Sequence, residues 1–264
     1  MNKKYGILLM TAAGVSLTLS AANDSIIVTT DGKIIKTAKI EVIGKGDLEY
    51  LTPDGKLKNR IPNGRFRYAQ VPKPAEITEA DQNFRKQQWK TAAAMYHKAA
   101  SDYRLLGWEV YCIRMEAESL AKSGEKAQAE KLLTGLHGTG ENNPRQQKER
   151  NLADSFLADL LIDRKQFDAA EKILNRQLGL DDPDLVFSAF FKKAEIMQGR
   201  GRKKEALRLY YQAALLFPGD PRRAEALYNI WNLMQETKDP RAAKIGEMLK
   251  REYPNSPFAQ KVFF

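Results

Sequence analysis

Cysteine is almost missing. Cys112 is the only one in 264 residues, so no disulfide can form within the chain and packing must hold the fold. It falls in the helical-looking "WEVYCIRMEAESLA", where a small buried residue is the expectation and a reactive thiol the alternative. Histidine is nearly as scarce, and His97 and His137 have no companion at metal-ligand spacing. No G-x-S-x-G nucleophile motif occurs. The Gly-rich "GLHGTGENN" lacks both the preceding strand and the Gly-Lys-Ser/Thr of a phosphate loop. Glu116 and Glu118 are two apart, so on a helix they face different ways and make no acid pair. Beyond the N-terminal segment no apolar stretch is long enough to span a membrane. The expectation is a protein that is not an enzyme and needs no cofactor and no metal.

Acidic residues are in deficit too, 33 against 43 lysines and arginines, for a net charge of +10. A basic surface favours acidic partners of any kind: nucleic acid, anionic lipid, acidic polymer or protein. The N-terminus narrows that choice. In "MNKKYGILLMTAAGVSLTLSAAN", Lys3 and Lys4 precede an uncharged run from Tyr5 to Leu19 that ends in small residues. This is the layout of a secretory signal over residues 1–22, with cleavage after Ala22; an uncleaved membrane anchor is the alternative. Export takes nucleic acid off the list of partners. It also leaves no transmembrane span once the signal is removed.

What is present begins with a segment of period two. Between Ser25 and Val71, β-branched residues alternate with polar ones, and Asp31-Gly32, Asp54-Gly55 and Asn63-Gly64 mark hairpin turns. The pattern predicts a small antiparallel β module over 23–71, with strands near 26–30, 33–43, 47–52, 56–61 and 66–71. So few residues are marginal alone, so the sheet either closes into a small barrel or packs one face on the rest of the chain. "VPKPAE" then forms a stiff linker over 72–77, because proline stops a sheet. Arg60, Arg65, Arg67 and Tyr68 make a basic edge that either binds a ligand or is a solvated strand face.

From Thr78 to the end at 264 the period becomes helical and the pattern repeats. "QQWKTAAAMYHKAA", "SGEKAQAEKLLTGL", "RKQFDAAEKILNRQ" and "GRKKEALRLYYQAA" align, each with a charged or small turn and then an alanine. The alanines are Ala92, Ala129, Ala170 and Ala206, with Ala242 in a weaker fifth copy. Another amphipathic helix precedes each of them. Where two helices cross closely only a small side chain fits, and a bulky one would overpack by about 1–3 kcal/mol.

"GRGRKKEALRLYYQAALLFPGDP" resembles the second helix of a tetratricopeptide (TPR) repeat, through Gly201, Ala206, Tyr210, Ala213 and Pro218. Ala117, Ala158 and Ala194 match the small residue of the first helix. The resemblance implies a mainly α protein: an α-solenoid of about five TPR-like helical hairpins behind the β module. It also implies that the first helices line a groove for peptides or protein partners. Placed on that pattern, the groove residues are Arg114, Glu118, Lys122, Ser155, Asp159, Phe191, Glu195, Tyr228 and Asn232. The closing "KREYPNSPFAQKVFF" is similar to the repeat joints of exported bacterial envelope proteins of this type, the coordinator of the Tol–Pal system among them. Its apolar residues are expected to fold back as a lid on the last repeat or to dock on another molecule. The functional expectation is an exported scaffold in the periplasm or outer envelope of a bacterium, binding an envelope protein or peptide. The alternative is a binder of acidic polymer or lipid surface through the basic outer turns.

Overall fold

The computed structural model describes residues 25–136 and 143–263. The signal-like segment, His137, most of the Gly/Asn-rich loop and Phe264 lie outside the described residues.

Six short strands come first: β1 (Ser25–Thr29), β2 (Ile34–Thr37), β3 (Lys39–Ile43), β4 (Asp47–Leu51), β5 (Lys58–Ile61) and β6 (Phe66–Gln70). They form two antiparallel three-stranded sheets, ordered β2-β1-β6 and β3-β4-β5. The turns after β1 and β4 use the same chemistry. The hydroxyls of Thr29 and Thr52 donate to Asp31 and Asp54 two residues on, and Gly32 (φ 87°) and Gly55 (φ 73°) supply the left-handed backbone.

Two expectations for this region are corrected. The long strand over 33–43 is broken at Ala38, whose N–H reaches the Leu51 carbonyl (3.1 Å) and so passes the chain from one sheet to the other. The sheets also stay open and do not close into a barrel; they enclose Ile27, Ile40, Leu48 and Ala69 together with Leu106. Leu106 comes from a loop between helices, so the module completes its core with a side chain of the helical part. A module this small gains stability by borrowing apolar surface.

The helices come next, in pairs. The first members are α1 (Ala75–Arg85), α3 (Glu109–Lys122), α5 (Pro144–Asp163), α7 (Pro183–Gly199) and α9 (Arg223–Glu236). The second members are α2 (Trp89–Asp102), α4 (Lys126–Thr134), α6 (Phe167–Gln177), α8 (Lys203–Leu216) and α10 (Ala242–Glu252). A short α11 (Pro257–Gln260) ends the chain. Each pair is an antiparallel hairpin, and α3 packs beside α5 and α5 beside α7, so these three first helices lie side by side. The five repeat alanines are buried where the helices cross: Ala92, Ala129, Ala170 and Ala206 are fully buried and Ala242 nearly so.

All five hairpin turns close in the same way. A residue with positive φ sits at Gln87, Gly124, Lys165, Gly201 and Lys238. In each turn the following N–H bonds back to the carbonyl five residues earlier, as Arg202 does to Met197 (2.8 Å) and Gln166 to Leu161 (2.8 Å). This is the Schellman cap, which satisfies the last carbonyls of the first helix and reverses the chain.

Candidate functional site

The predicted groove residues all lie on first helices, and most are already engaged with neighbouring side chains. On α3 the Arg114 side chain is largely buried; it pairs with Glu118 one turn on, and its Nε donates to Glu149 of α5 (2.8 Å). On α5 the buried Ser155 accepts from Lys192 of α7 (2.8 Å), and Lys192 also pairs with Asp159 (2.8 Å). Lys192 thus ties α7 to α5 through two predicted residues. Lys122 stands apart at the end of α3, its ammonium 5.3 Å from the centre of the Trp89 ring.

Phe191 and Glu195 lie on α7. Phe191 is half-buried, stacked on Phe187 (6.1 Å between centroids) and edge-on to Tyr210 (5.1 Å). Glu195 has its carboxyl pushed up to about 7, first by burial against the helix face and then by the charge of Asp159, while Lys192 opposes the shift and Glu225 and Asp163 add to it. Its side chain still keeps a face open to water. Asn232 on α9 donates to Glu236 (3.2 Å) and is otherwise at the surface.

Tyr228 is not an open anchor. Its ring is covered by Phe258 of α11 (5.7 Å) and by the ammonium of Lys261 (5.7 Å), and it stacks on Trp231 (5.7 Å). The C-terminal tail therefore occupies the end of the face as a lid, with its own Ala259 and Val262 buried.

Sequence reading missed the opposite end. There Asp81 of α1 accepts from the phenols of Tyr96 and Tyr111 (2.7 Å each) and pairs with Lys73 from the segment joining sheet to helix. Lys73 also lies over the Tyr111 ring (4.8 Å). Both phenols are pushed up, first by burial and then by their bond to Asp81. Next to this clamp, Trp108 donates to the Val71 carbonyl (3.0 Å) while Arg145 stacks on the Trp108 ring (4.5 Å) and donates to the same carbonyl (3.2 Å). Arg145 belongs to the first turn of α5, which Asn143 caps while its amide reaches Ala69 of β6 (3.4 Å). The β module is thereby fixed to the first-helix face. A usable signal existed for the helix-to-helix ties: Ser155 and Lys192 are 37 residues apart, so complementary polar partners one repeat apart could have been sought.

The remaining candidates have other roles. Cys112 is fully buried and burial pushes its thiol up to about 12, which suppresses the reactive thiolate. His97 meets Glu116 (3.0 Å) on the other side of α3 from Glu118. Among the described residues no three histidines, cysteines or acids are grouped to hold a metal ion, and no helix is long and apolar enough to cross a membrane. In the outer turn, Arg200 pairs with Asp168 and Glu171, Arg202 with Glu205, and Lys203 with Glu236.

No protein-family model and no curated protein matches this sequence. Solved structures do match in fold. A putative kinesin light chain from Podosopora anserina with nearly identical TPR-like repeats superposes with a TM-score of 0.51 at 16% identity, over 69% of this chain and 96% of that one. The apo form of RapI gives a TM-score of 0.61 at 10% identity over 70% of this chain and 54% of its own length. PilF of Pseudomonas aeruginosa gives 0.52 at 22% identity, covering 71% and 79%. The helical part has the TPR-like solenoid fold.

Proposed function

We propose that this chain is a non-enzymatic scaffold that binds a protein or peptide partner along the face of its first helices. It does so after export, in the periplasm or outer envelope of a bacterium. The observation that supports the reading best is the α5–α7 junction, where the Lys192–Asp159 ion pair, the Ser155 hydroxyl that Lys192 also reaches and the Glu195 carboxyl share these helices with the half-buried Phe191. Preset charges select a partner and steer its approach, while an aromatic edge supplies contact area. Export rests on the N-terminal pattern of Lys3, Lys4 and the apolar run behind them.

The chain immobilised without residues 1–22 tests the reading against periplasmic and membrane fractions. Glu195→Lys reverses a charge on the proposed face, and Lys204→Glu does the same on an outer turn as control. A partner retained by the wild type and the control but lost with Glu195→Lys is the expected result. Equal retention by all three, or by none, would sink the idea. The polymer-binding reading is weakened by the pairing of Arg200, Arg202 and Lys203 with acids. Retention on anionic polymer beads is expected to be weak and nearly flat with salt, because few phosphate-like groups would displace those partners.

A further inference from the structure

The apolar core of the solenoid is interrupted once. One buried cluster holds the first hairpin with Trp108, Cys112 and Met115, a second holds the remaining hairpins, and half-buried Ile113 of α3 touches both. At this interruption lies a cleft of about 490 Å³ between α3 and α4. Here α4 has 9 residues where α2 and α8 have 14, and among the described residues part of the α3 surface is left open. Its walls are apolar, from Ile113, Leu120, Leu132 and Leu136, with Lys131 and Gln128 on the α4 side.

The polar feature of the cleft is Glu116. The residue is nine-tenths buried, and its carboxylate meets Nδ1 of the exposed His97 of α2 (3.0 Å). Three other buried or largely buried acids among the described residues have a permanent cation: Asp81 has Lys73, Glu149 has Arg114 and Asp220 has Arg222. Glu116 has no lysine or arginine at ion-pair distance among the described residues, and burial raises its carboxyl against the opposing pull of His97. Buried carboxylates are normally paired with a full charge, so this one is short of a partner on its open side.

We propose that the cleft binds a primary alkylammonium group, its aliphatic stem lying on Ile113, Leu120, Leu132 and Leu136 and its cation on the Glu116 carboxylate. The volume falls in the range of small-ligand sites. The lining holds one carboxylate, Glu116 of α3, and one ammonium, Lys131 of α4, with no ion pair between them. The greasy wall leading to the carboxylate matches a stem of roughly lysine length, which buries its methylenes while its charge reaches a polar terminus. Two sources share this chemistry, a free alkylamine and a lysine side chain of a partner protein. The site lies off the first-helix face and does not depend on the function proposed above.

Amide NMR titration of the chain without residues 1–22 decides it, with hexylammonium and hexanol as probes. Hexylammonium is expected to shift resonances of His97 and of residues 113–136 saturably, and to bind about tenfold more tightly than hexanol, because a hydrogen bond to a charged group is worth that discrimination. Glu116→Gln should erase the preference while leaving the rest of the spectrum in place. Leu132→Trp, which fills the cleft without touching the carboxylate, should abolish binding of both probes and decides the matter if Glu116→Gln does not fold. A capped lysine tripeptide that displaces hexylammonium identifies a protein side chain as the source; failure to displace it identifies a free amine. Equal affinity for the amine and the alcohol, an unchanged preference in Glu116→Gln, or absence of saturable shifts in the cleft would overturn the proposal.

Discussion

Single residues decide how the first-helix face responds to pH. The Glu195 carboxyl stands at about 7 in the folded chain against an ordinary value of 4.5. A raised carboxylate favours the folded state when protonated: the benefit is complete below the ordinary value and is lost as pH rises through the folded one. Glu195 therefore makes the chain less stable as pH climbs from 4.5 to about 7, with a shallow slope because water still reaches the side chain. Glu195→Gln should flatten urea-derived stability over that window; an unchanged slope would show that the shift is absent. Asp81 belongs to the same scale. Replacing it with Ala leaves Lys73, Tyr96 and Tyr111 without their shared acceptor. Asp81→Ala is expected to cost about 2–4 kcal/mol in chemical denaturation.

At the scale of elements, the hairpin turn is the recurring device. Three of its five left-handed positions carry a side chain, Gln87 (φ 61°), Lys165 (φ 57°) and Lys238 (φ 54°), while Gly124 and Gly201 fill the other two. A Cβ in this conformation costs roughly 1 kcal/mol relative to glycine. Lys165→Gly should thus raise stability by up to about 1 kcal/mol without altering the helical signal, although added freedom in the unfolded chain offsets part of the gain. A loss of stability would mean that Lys165 makes a contact worth more than the strain. The sequence announces this turn only where glycine marks it, since a lysine carries no local sign that its backbone will be left-handed. The break in the strand over 33–43 is hidden for a related reason. Ala38 fits a strand as well as its neighbours do, and only the demand of two sheets for one corner bends the chain there.

For the whole molecule, the β module and the tail meet the solenoid by different means. The β module joins the helices at the α2–α3 loop and the start of α5, through Leu106, Trp108, Asn143 and Arg145. The tail seals the last hairpin, by laying Phe258 on Tyr228, burying Ala259 and Val262, and setting Phe263 edge-on to Trp231 (5.2 Å). A solenoid end left bare exposes the apolar surface that the next repeat would cover. Deleting 257–264 should cost about 3 kcal/mol, from the burial of Phe258 and Val262, and should promote self-association. A deletion variant with unaltered melting temperature and oligomeric state would show that the tail only rests on the surface.

The sequence by itself determined the repeat. Period-two and helical patterns, the alanines at Ala92, Ala129, Ala170, Ala206 and Ala242, and the turn residues are local signals, because propensity and amphipathicity act over a few residues. Its spacing also put Arg114 with Glu118, Ser155 with Asp159 and Phe191 with Glu195 on one side of their own helices, since residues one turn apart share a side of a helix. A groove common to the three pairs was implied by the family resemblance alone. Only the tertiary structure decided which of these are free and which are spent. The partners of Ser155, of Asp159 and of the Trp108 indole lie far off along the chain, about a repeat away, and the lid over Tyr228 comes from the chain end. Those meetings depend on how helices stack and cross, which no short window of sequence encodes. The same stacking paired Arg200 with Asp168 and Glu171, and Lys203 with Glu236, in an outer turn that the sequence shows only as basic.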